Sequence, residues 1–267
     1  PENTIVLEEG QEYELIDTKI LYGCNINLNK IATMECLLQL YKCVFSNINK
    51  DCGAIYLITY ADSDPTNPTY NGIYKIHECT FDHCGNDNLD FGGALFYNSS
   101  QHNINIEITK CTFNYNCAIS GGAIYFEGSL GLIEECTFTD NIGLEGSDIW
   151  FKQIDSGTSD EFFTIQKCSF SYPHCSSGGD FDAIFSLLKL EWIGKSGLKF
   201  NNNDISFTCE NEDISFIAFE SQSNAITPTK DKMVFDSNSI TKNFKITDDE
   251  TIKSIISENE NAFKYDG

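Results

Sequence analysis

A Cys-Thr-Phe triplet, a short turn and then Gly-Gly-Ala-Ile-Tyr recur several times along this chain. The clearest copies run from Cys111 to Phe126, from Cys79 to Tyr97 and from Cys136 to Phe151. A phrase that returns every few tens of residues specifies similar units stacked on one another, each burying its apolar face against its neighbours. Anchored on its first residue, the phrase starts at Cys43, Cys79, Cys111, Cys136, Cys168, Leu198 and Met233, at separations of 36, 32, 25, 32, 30 and 35 residues. The shortest interval approaches a bare coil of a β-solenoid. The longer ones read as that coil with loops inserted.

Three strand-like pieces recur per unit, short, rich in β-branched and aromatic residues and bounded by Gly, Asn, Asp and Ser. The first is Cys-x-Phe, with Thr80, Thr112, Thr137 and Ser169 in the middle slot. Alternation turns its Cys and Phe inward and its hydroxyl outward. The second is the Ala-Ile-Tyr run, at Ala54–Tyr56, Ala94–Phe96, Ala123–Tyr125, Asp148–Trp150 and Ala183–Phe185. The third precedes the next triplet and alternates, as in Ile104–Ile108. Phe-x-x-Asn marks the turns at Phe113/Asn116, Phe138/Asn141, Phe200/Asn203 and Phe235/Asn238, and equivalent Asn side chains are expected to stack as a hydrogen-bonded ladder at one corner. Gly92-Gly93 and Gly121-Gly122 permit a sharp bend back into a strand, and Gly178-Gly179 reads similarly.

The expected fold is all-β: a right-handed parallel β-helix, a three-sheet solenoid with capped ends. Roughly eight or nine coils at a spacing of about 4.8 Å give a rod about 40 Å long. Residues 1–30 read as an N-terminal cap and first strands, 31–240 as the repeats, and 241–267 as an acidic C-terminal cap or linker. In that last segment Ile252, Ile255, Ile256 and Phe263 have helix-compatible spacing. Insertions collect at two corners, the common place for contacts in repeat proteins.

Gly121-Gly122-Ala123-Ile124, Gly92-Gly93-Ala94-Leu95 and the Phe-x-x-Asn pairs recur jointly, in fixed order, over Cys43 to Asn238. In this the chain resembles the repeats of polymorphic outer membrane proteins. The resemblance implies a right-handed parallel β-helix, surface display and adhesion, in a bacterial or protist surface protein. The sequence departs from that pattern in lacking a visible membrane-anchoring barrel and in its incomplete Gly pairs.

The formal charge is -23, and all 17 basic residues are lysine. This argues against nucleic acid, which needs cationic patches to displace phosphate counterions, and against anionic membranes and acidic polysaccharides. No apolar run is long enough to span a bilayer, so no direct membrane insertion is expected in this segment. The chain reads as part of something longer.

Five of the 12 cysteines open the phrase, and four of those have a second cysteine shortly after: Cys43/Cys52, Cys79/Cys84, Cys111/Cys117 and Cys168/Cys175. The repeated spacing suggests a disulfide staple in each of four coils, in an oxidising compartment. The competing reading is a column of unoxidised, buried thiols. His83-Cys84 and His174-Cys175 hint at zinc, but they lie in coils too far apart to converge. Asn98-Ser99-Ser100 is the one acceptable glycosylation sequon.

No acid pair carries a readable catalytic motif; Asp62/Asp64, Asp87/Asp90 and Asp180/Asp182 have no partner His or Tyr in a recurring pattern. The expectation is a non-catalytic cell-surface or extracellular module for adhesion or structural interaction, without cofactor or metal. Its partner would be a protein or neutral glycan, with the loop aromatics Tyr60, Tyr70 and Tyr172 as candidate contacts. A β-helix that binds or degrades polysaccharide, or a scaffold in a larger assembly, are the alternatives.

Overall fold

The computed structural model describes residues 12–15, 19–22, 25–27, 30–34, 38–48, 53–59, 73–99, 105–154, 162–172, 186–193, 196–207, 215–222, 225–241 and 245–265. Its strands deal themselves in turn to three sheets of 8, 8 and 9 strands, every third strand in chain order joining the same sheet until the last, Phe263–Tyr265, which pairs with the strand just before it, Asn238–Ile240. All pairings between successive strands of a sheet are parallel, as in Thr112↔Thr137 and Ile124↔Ile149. The chain is a parallel β-helix.

The fifth coil is the barest: Ile124–Gly128 in the first sheet, Gly131–Glu134 in the second and Thr137–Thr139 in the third. The sixth follows with Ile149–Gln153, Phe162–Gln166 and Ser169–Tyr172. The first described coil already spans Glu12–Leu15, Lys19–Tyr22 and Asn25–Asn27, in register with the second. At the other end a helix, Glu250–Ser257, begins at Asp249, whose side chain accepts from Ile252 N at 2.9 Å. It buries Ile252 and Ile255 in the core, so the helical spacing noted in the sequence does form a cap.

Alternation places the core. Phe45, Phe81, Phe113, Phe138 and Phe170 form one interior column, with ring centroids 4.8, 4.9, 4.9 and 5.0 Å apart and planes within 9° of parallel. That spacing is the strand spacing of a sheet, so each ring repeats its neighbour by simple translation. Burying one such ring stabilises by roughly 1.5–3 kcal/mol.

Two corners flank the third sheet, and both use one device. A residue with left-handed backbone is followed by one whose side chain points inward. At the first corner Lys42, Glu78, Lys110, Glu135, Lys167, Asn202 and Ser237 take φ between 52° and 56°. Each precedes, in turn, Cys43, Cys79, Cys111, Cys136, Cys168, Asn203 and Asn238. At the second corner Asn47, His83, Tyr115 and Asp140 do the same before Ile48, Cys84, Asn116 and Asn141. The strained residue is thus the one before each Asn, held there because the side chain that follows satisfies buried backbone.

This geometry corrects the sequence register in the last two coils. Leu198 and Met233 pair with each other in the second sheet and do not start the phrase. Asn203 and Asn238 occupy the first-corner slot of the phrase-opening cysteines, so there are two Asn ladders, at two corners. The run pairing with Asp148-Ile149-Trp150 is Leu187-Leu188-Lys189; residues 183–185 and Gly178-Gly179 lie outside the described residues.

The two expected disulfides whose cysteines are both described do not form. Cys79, Cys84, Cys111 and Cys117, the members of those two pairs, are free, as are Cys136 and Cys168. Cys79 and Cys84 flank the strand Thr80–Asp82 and sit at different corners. Five residues of extended chain span about 16 Å, far beyond the roughly 4.4–6.8 Å a disulfide requires between Cα atoms. The same holds for Cys111 and Cys117, and Cys52 and Cys175 lie outside the described residues. In place of staples the thiols stand in for Asn. Cys111, Cys136 and Cys168 each donate Sγ–H toward the second-sheet carbonyl one coil back, at Ile76, Ile108 and Ile133, at 3.4, 3.5 and 3.6 Å. Asn203 Nδ2 donates to Ile165 O at 3.2 Å in the same column.

Candidate functional site

The outward side of the first sheet carries a row of aromatic residues in which Phe96 and Tyr125 are buried, at 8% and 4% exposure, and Tyr56 and Trp150 are half-buried. Ile124 and Phe126 point inward, so Tyr125 and Glu127 point outward. Register then stacks Tyr56, Phe96, Tyr125, Trp150 and Lys189 in one outward column. The ring centroids are 4.6, 5.3 and 5.8 Å apart along Tyr56–Phe96–Tyr125–Trp150. Lys189 Nζ closes the column 5.6 Å from the Trp150 ring. From the turn before Gly92-Gly93, Phe91 leans on Phe96 and Tyr125 at 6.1 and 4.6 Å while remaining 40% exposed.

That turn is set by glycine. Gly92 and Gly121 adopt φ of 60° and 64°, and a Cβ on Gly93 would stand 2.3 Å from Gly122 O. Successive turns therefore nest closely, which brings Phe91 over the stripe.

A second outward column, two residues along, holds Asn98, Glu127, Lys152, Glu191 and Glu220. Lys152 Nζ is 3.2 Å from Glu127 Oε1, and Asn98 Nδ2 donates to Glu127 Oε2 at 3.1 Å. Trp150 Nε1 donates to Glu191 Oε1 at 2.7 Å. Lys189 Nζ lies 3.3 Å from Glu145 and 3.2 Å from Glu220. Burial pushes the Glu191 carboxyl up, against the lowering effect of the Trp150 N–H. It also pushes the Tyr125 phenol up, with the Glu127 charge adding to it.

The candidate contacts read from sequence fall elsewhere. Tyr172 is a buried strand residue, not a loop aromatic: its Oη donates to Asn141 O at 2.8 Å. Tyr60 and Tyr70 lie outside the described residues. Asn98 does sit on the outer face, half-buried beside Glu127. His83 and Cys84 point to opposite sides, His83 stacking outward on Tyr115 at 5.0 Å while Cys84 is buried. Asp87 and Asp90 are exposed on one turn. Among the described residues no three His, Cys, Asp or Glu side chains gather as a metal site.

The stripe was present in the sequence as the third residue of each Ala-Ile-Tyr run. The same alternation that turns Ile124 inward turns Tyr125 outward, so the aromatic row lies on a strand and not in the loops. No known family model matches the chain, and neither the curated proteins nor the solved structures contain a significant match to it.

Proposed function

We propose that this solenoid is a non-catalytic interaction module of a cell-surface or extracellular protein, and that it binds a protein partner through the outer face of the first sheet. The observation that carries this reading is Phe91, a large ring 40% exposed over the buried Phe96 and Tyr125, with half-buried Trp150 beside them and Glu127, Glu191 and Glu220 at the border. Aromatic anchors surrounded by polar groups are where binding energy concentrates at protein interfaces. The charge of -23 favours a partner presenting basic residues around an apolar centre, whose approach it would accelerate. Surface display and adhesion rest on the resemblance to polymorphic outer membrane proteins.

A neutral glycan is the second reading, favoured by the mixture of aromatic, amide and carboxylate groups on one face. It is the weaker of the two, because Phe96 and Tyr125, at 8% and 4% exposure, offer no open ring face for a sugar to stack on. The test is Phe91→Ala, which removes an exposed ring and leaves the interior phenylalanine column untouched. Binding to cells or to a captured partner is expected to weaken at least tenfold, with far-UV circular dichroism unchanged. Unaltered binding would overturn the location. Retention on a glycan array that Phe91→Ala abolishes would replace the protein by a glycan. Loss of viscosity in a polysaccharide solution incubated with purified protein would overturn the non-catalytic reading.

A further inference from the structure

Among the described residues, the second-corner ladder leads to an acid. Asn116 Nδ2 donates to Asn141 Oδ1 at 2.9 Å, and Asn141 Nδ2 donates in turn to Asp148 Oδ1, also at 2.9 Å. Asp148 stands one residue before Ile149, in the column that holds Ala54, Ala94 and Ala123 in the preceding coils and Leu187 in the next. Its side chain is wholly buried, and Oδ2 has no hydrogen-bond partner. Tyr172 Oη lies 3.0 Å from Asp148 Oδ1, 2.8 Å from Asn141 O and 2.9 Å from Ser147 Oγ.

We propose that Asp148 is a built-in proton-binding site, carrying a neutral carboxyl in the folded protein and linking the packing of the fifth and sixth coils to pH. Bond counting supports the neutral form. A buried carboxylate needs donors at both oxygens. Here Oδ2 meets none, and the single phenol proton of Tyr172 is shared between Oδ1 and a backbone carbonyl. As an acid, Asp148 donates Oδ1–H to Tyr172 Oη, and Tyr172 donates to Asn141 O. The Asn141 amide still reaches Oδ1, so these donors all find acceptors.

Among the described residues two titratable groups face the site: the Asp140 carboxyl, from the second corner of the fifth coil, and the Tyr172 phenol, from the third-sheet strand of the sixth. No cation among the described residues acts on it. Asp140 opposes ionisation by like charge. Burial pushes the Asp148 carboxyl up to about 7, in line with the bond count, and raises the Tyr172 phenol as well.

The folded state therefore keeps a proton that the unfolded chain, titrating near pH 3.9, gives up. Stability from this site is full below that value, falls as pH rises through the interval, and levels off above about 7.

The test compares wild type with Asp148→Asn by urea unfolding at a series of pH values from 4 upward. Taking their ratio cancels the titration of the other carboxyls. The wild-type folding constant relative to the variant is expected to fall by about tenfold per pH unit through the upper part of the window and then flatten. A ratio that stays constant with pH overturns the proposal. If Asp148→Asn does not fold, infrared spectroscopy of Glu191→Gln, which lacks the other buried raised carboxyl on the page, decides. A protonated-carboxyl C=O band present at pH 6 and gone under mildly alkaline conditions supports the site; its absence at pH 6 overturns it.

Discussion

At the first corner the inward column runs through seven successive coils, from Cys43 to Asn238, and its last amide donates to Ala262 O at 2.8 Å. At the second corner it runs through Cys84, Asn116 and Asn141, and its last amide meets Asp148. Along their length the two columns make the same bonds. Backbone N–H groups reach the inward atom of the next coil, as Cys79 N does to Cys111 Sγ at 3.4 Å and Cys84 N to Asn116 Oδ1 at 3.0 Å. The inward donor reaches a carbonyl one coil back. The difference lies in termination. A ladder of donors needs an acceptor at its end, because a buried unpaired group costs about 1–3 kcal/mol. The first corner finds a backbone carbonyl supplied by the C-terminal cap, which does not titrate. The second, at the last of its amides among the described residues, meets a side-chain carboxyl and so inherits a proton.

The comparison breaks most readily at Asn116. Its amide accepts from Cys84 N and donates to Phe81 O and Asn141 Oδ1. Asn116→Leu keeps the branched heavy-atom framework and removes these bonds, leaving the Cys84 N–H and the Phe81 carbonyl short of partners in the core, with the bulk of the methyl groups adding to the cost. A loss of about 3–5 kcal/mol is expected, two unsatisfied groups at the usual cost of each. Urea unfolding measures it. A loss under about 1 kcal/mol, within the scatter of a single ordinary hydrogen bond, would show that the ladders fill space without bearing stability.

The two columns are sharpened by exchanging their members. If thiol and amide serve one purpose, Cys111→Asn extends the pattern of Asn203 and Asn238 into the cysteine run. It is expected to fold with a change of about 1 kcal/mol or less, while Cys111→Ala, which loses both volume and donor, costs about 2 kcal/mol. The reverse order would mean that sulfur packing alone explains the cysteines. The same geometry predicts the redox behaviour. Cys84 and Cys111 are buried, and burial pushes the Cys84 thiol up to about 12 and raises Cys111, Cys136 and Cys168 well above the usual thiol range. In native protein these four are expected to resist alkylation that labels them fully in denaturant, read peptide by peptide by mass spectrometry. Rapid labelling of the folded protein would contradict their placement.

Coils three to six were legible because their phrase is complete: Cys79, Cys111, Cys136 and Cys168 each lead into an inward Phe. The last two coils were misread for a physical reason. Both corners place an inward residue three positions after an inward aromatic, so Phe200/Asn203 at the first corner looks locally identical to Phe113/Asn116 at the second. Only the strand pairing of Leu198 with Met233 separates them. The staples failed similarly. Close sequence spacing of Cys79 and Cys84 suggested proximity, whereas the extended strand between them holds them apart. Of the candidate contact surface, the residues were visible and their facing was not sought. Asp148 gave no signal beyond a polar residue in an alanine column, and that residue is the one that receives the Asn141 amide.

The smallest effect is expected on the solvent side of the first corner, where the left-handed residues alternate in charge: Lys42, Glu78, Lys110, Glu135 and Lys167. Lys42 Nζ is 3.5 Å from Glu78, Lys110 Nζ 3.9 Å from Glu135, and Lys167 Nζ 3.8 Å from Glu135 and 2.8 Å from Glu134. In a parallel stack at one strand spacing, like charges would oppose each other on every rung, so alternation removes a repulsion more than it adds an attraction. Lys110→Glu places three carboxylates in succession, from Glu78 to Glu135. It is expected to lower the unfolding midpoint slightly, by less than either Cys111 variant, and the deficit should vanish at high salt because exposed charges are screened. The interior columns, lying beyond the reach of added ions, predict no such salt dependence for Asn116→Leu. If both variants responded to salt alike, the distinction between an inner ladder that bears stability and an outer one that merely avoids repulsion would fail.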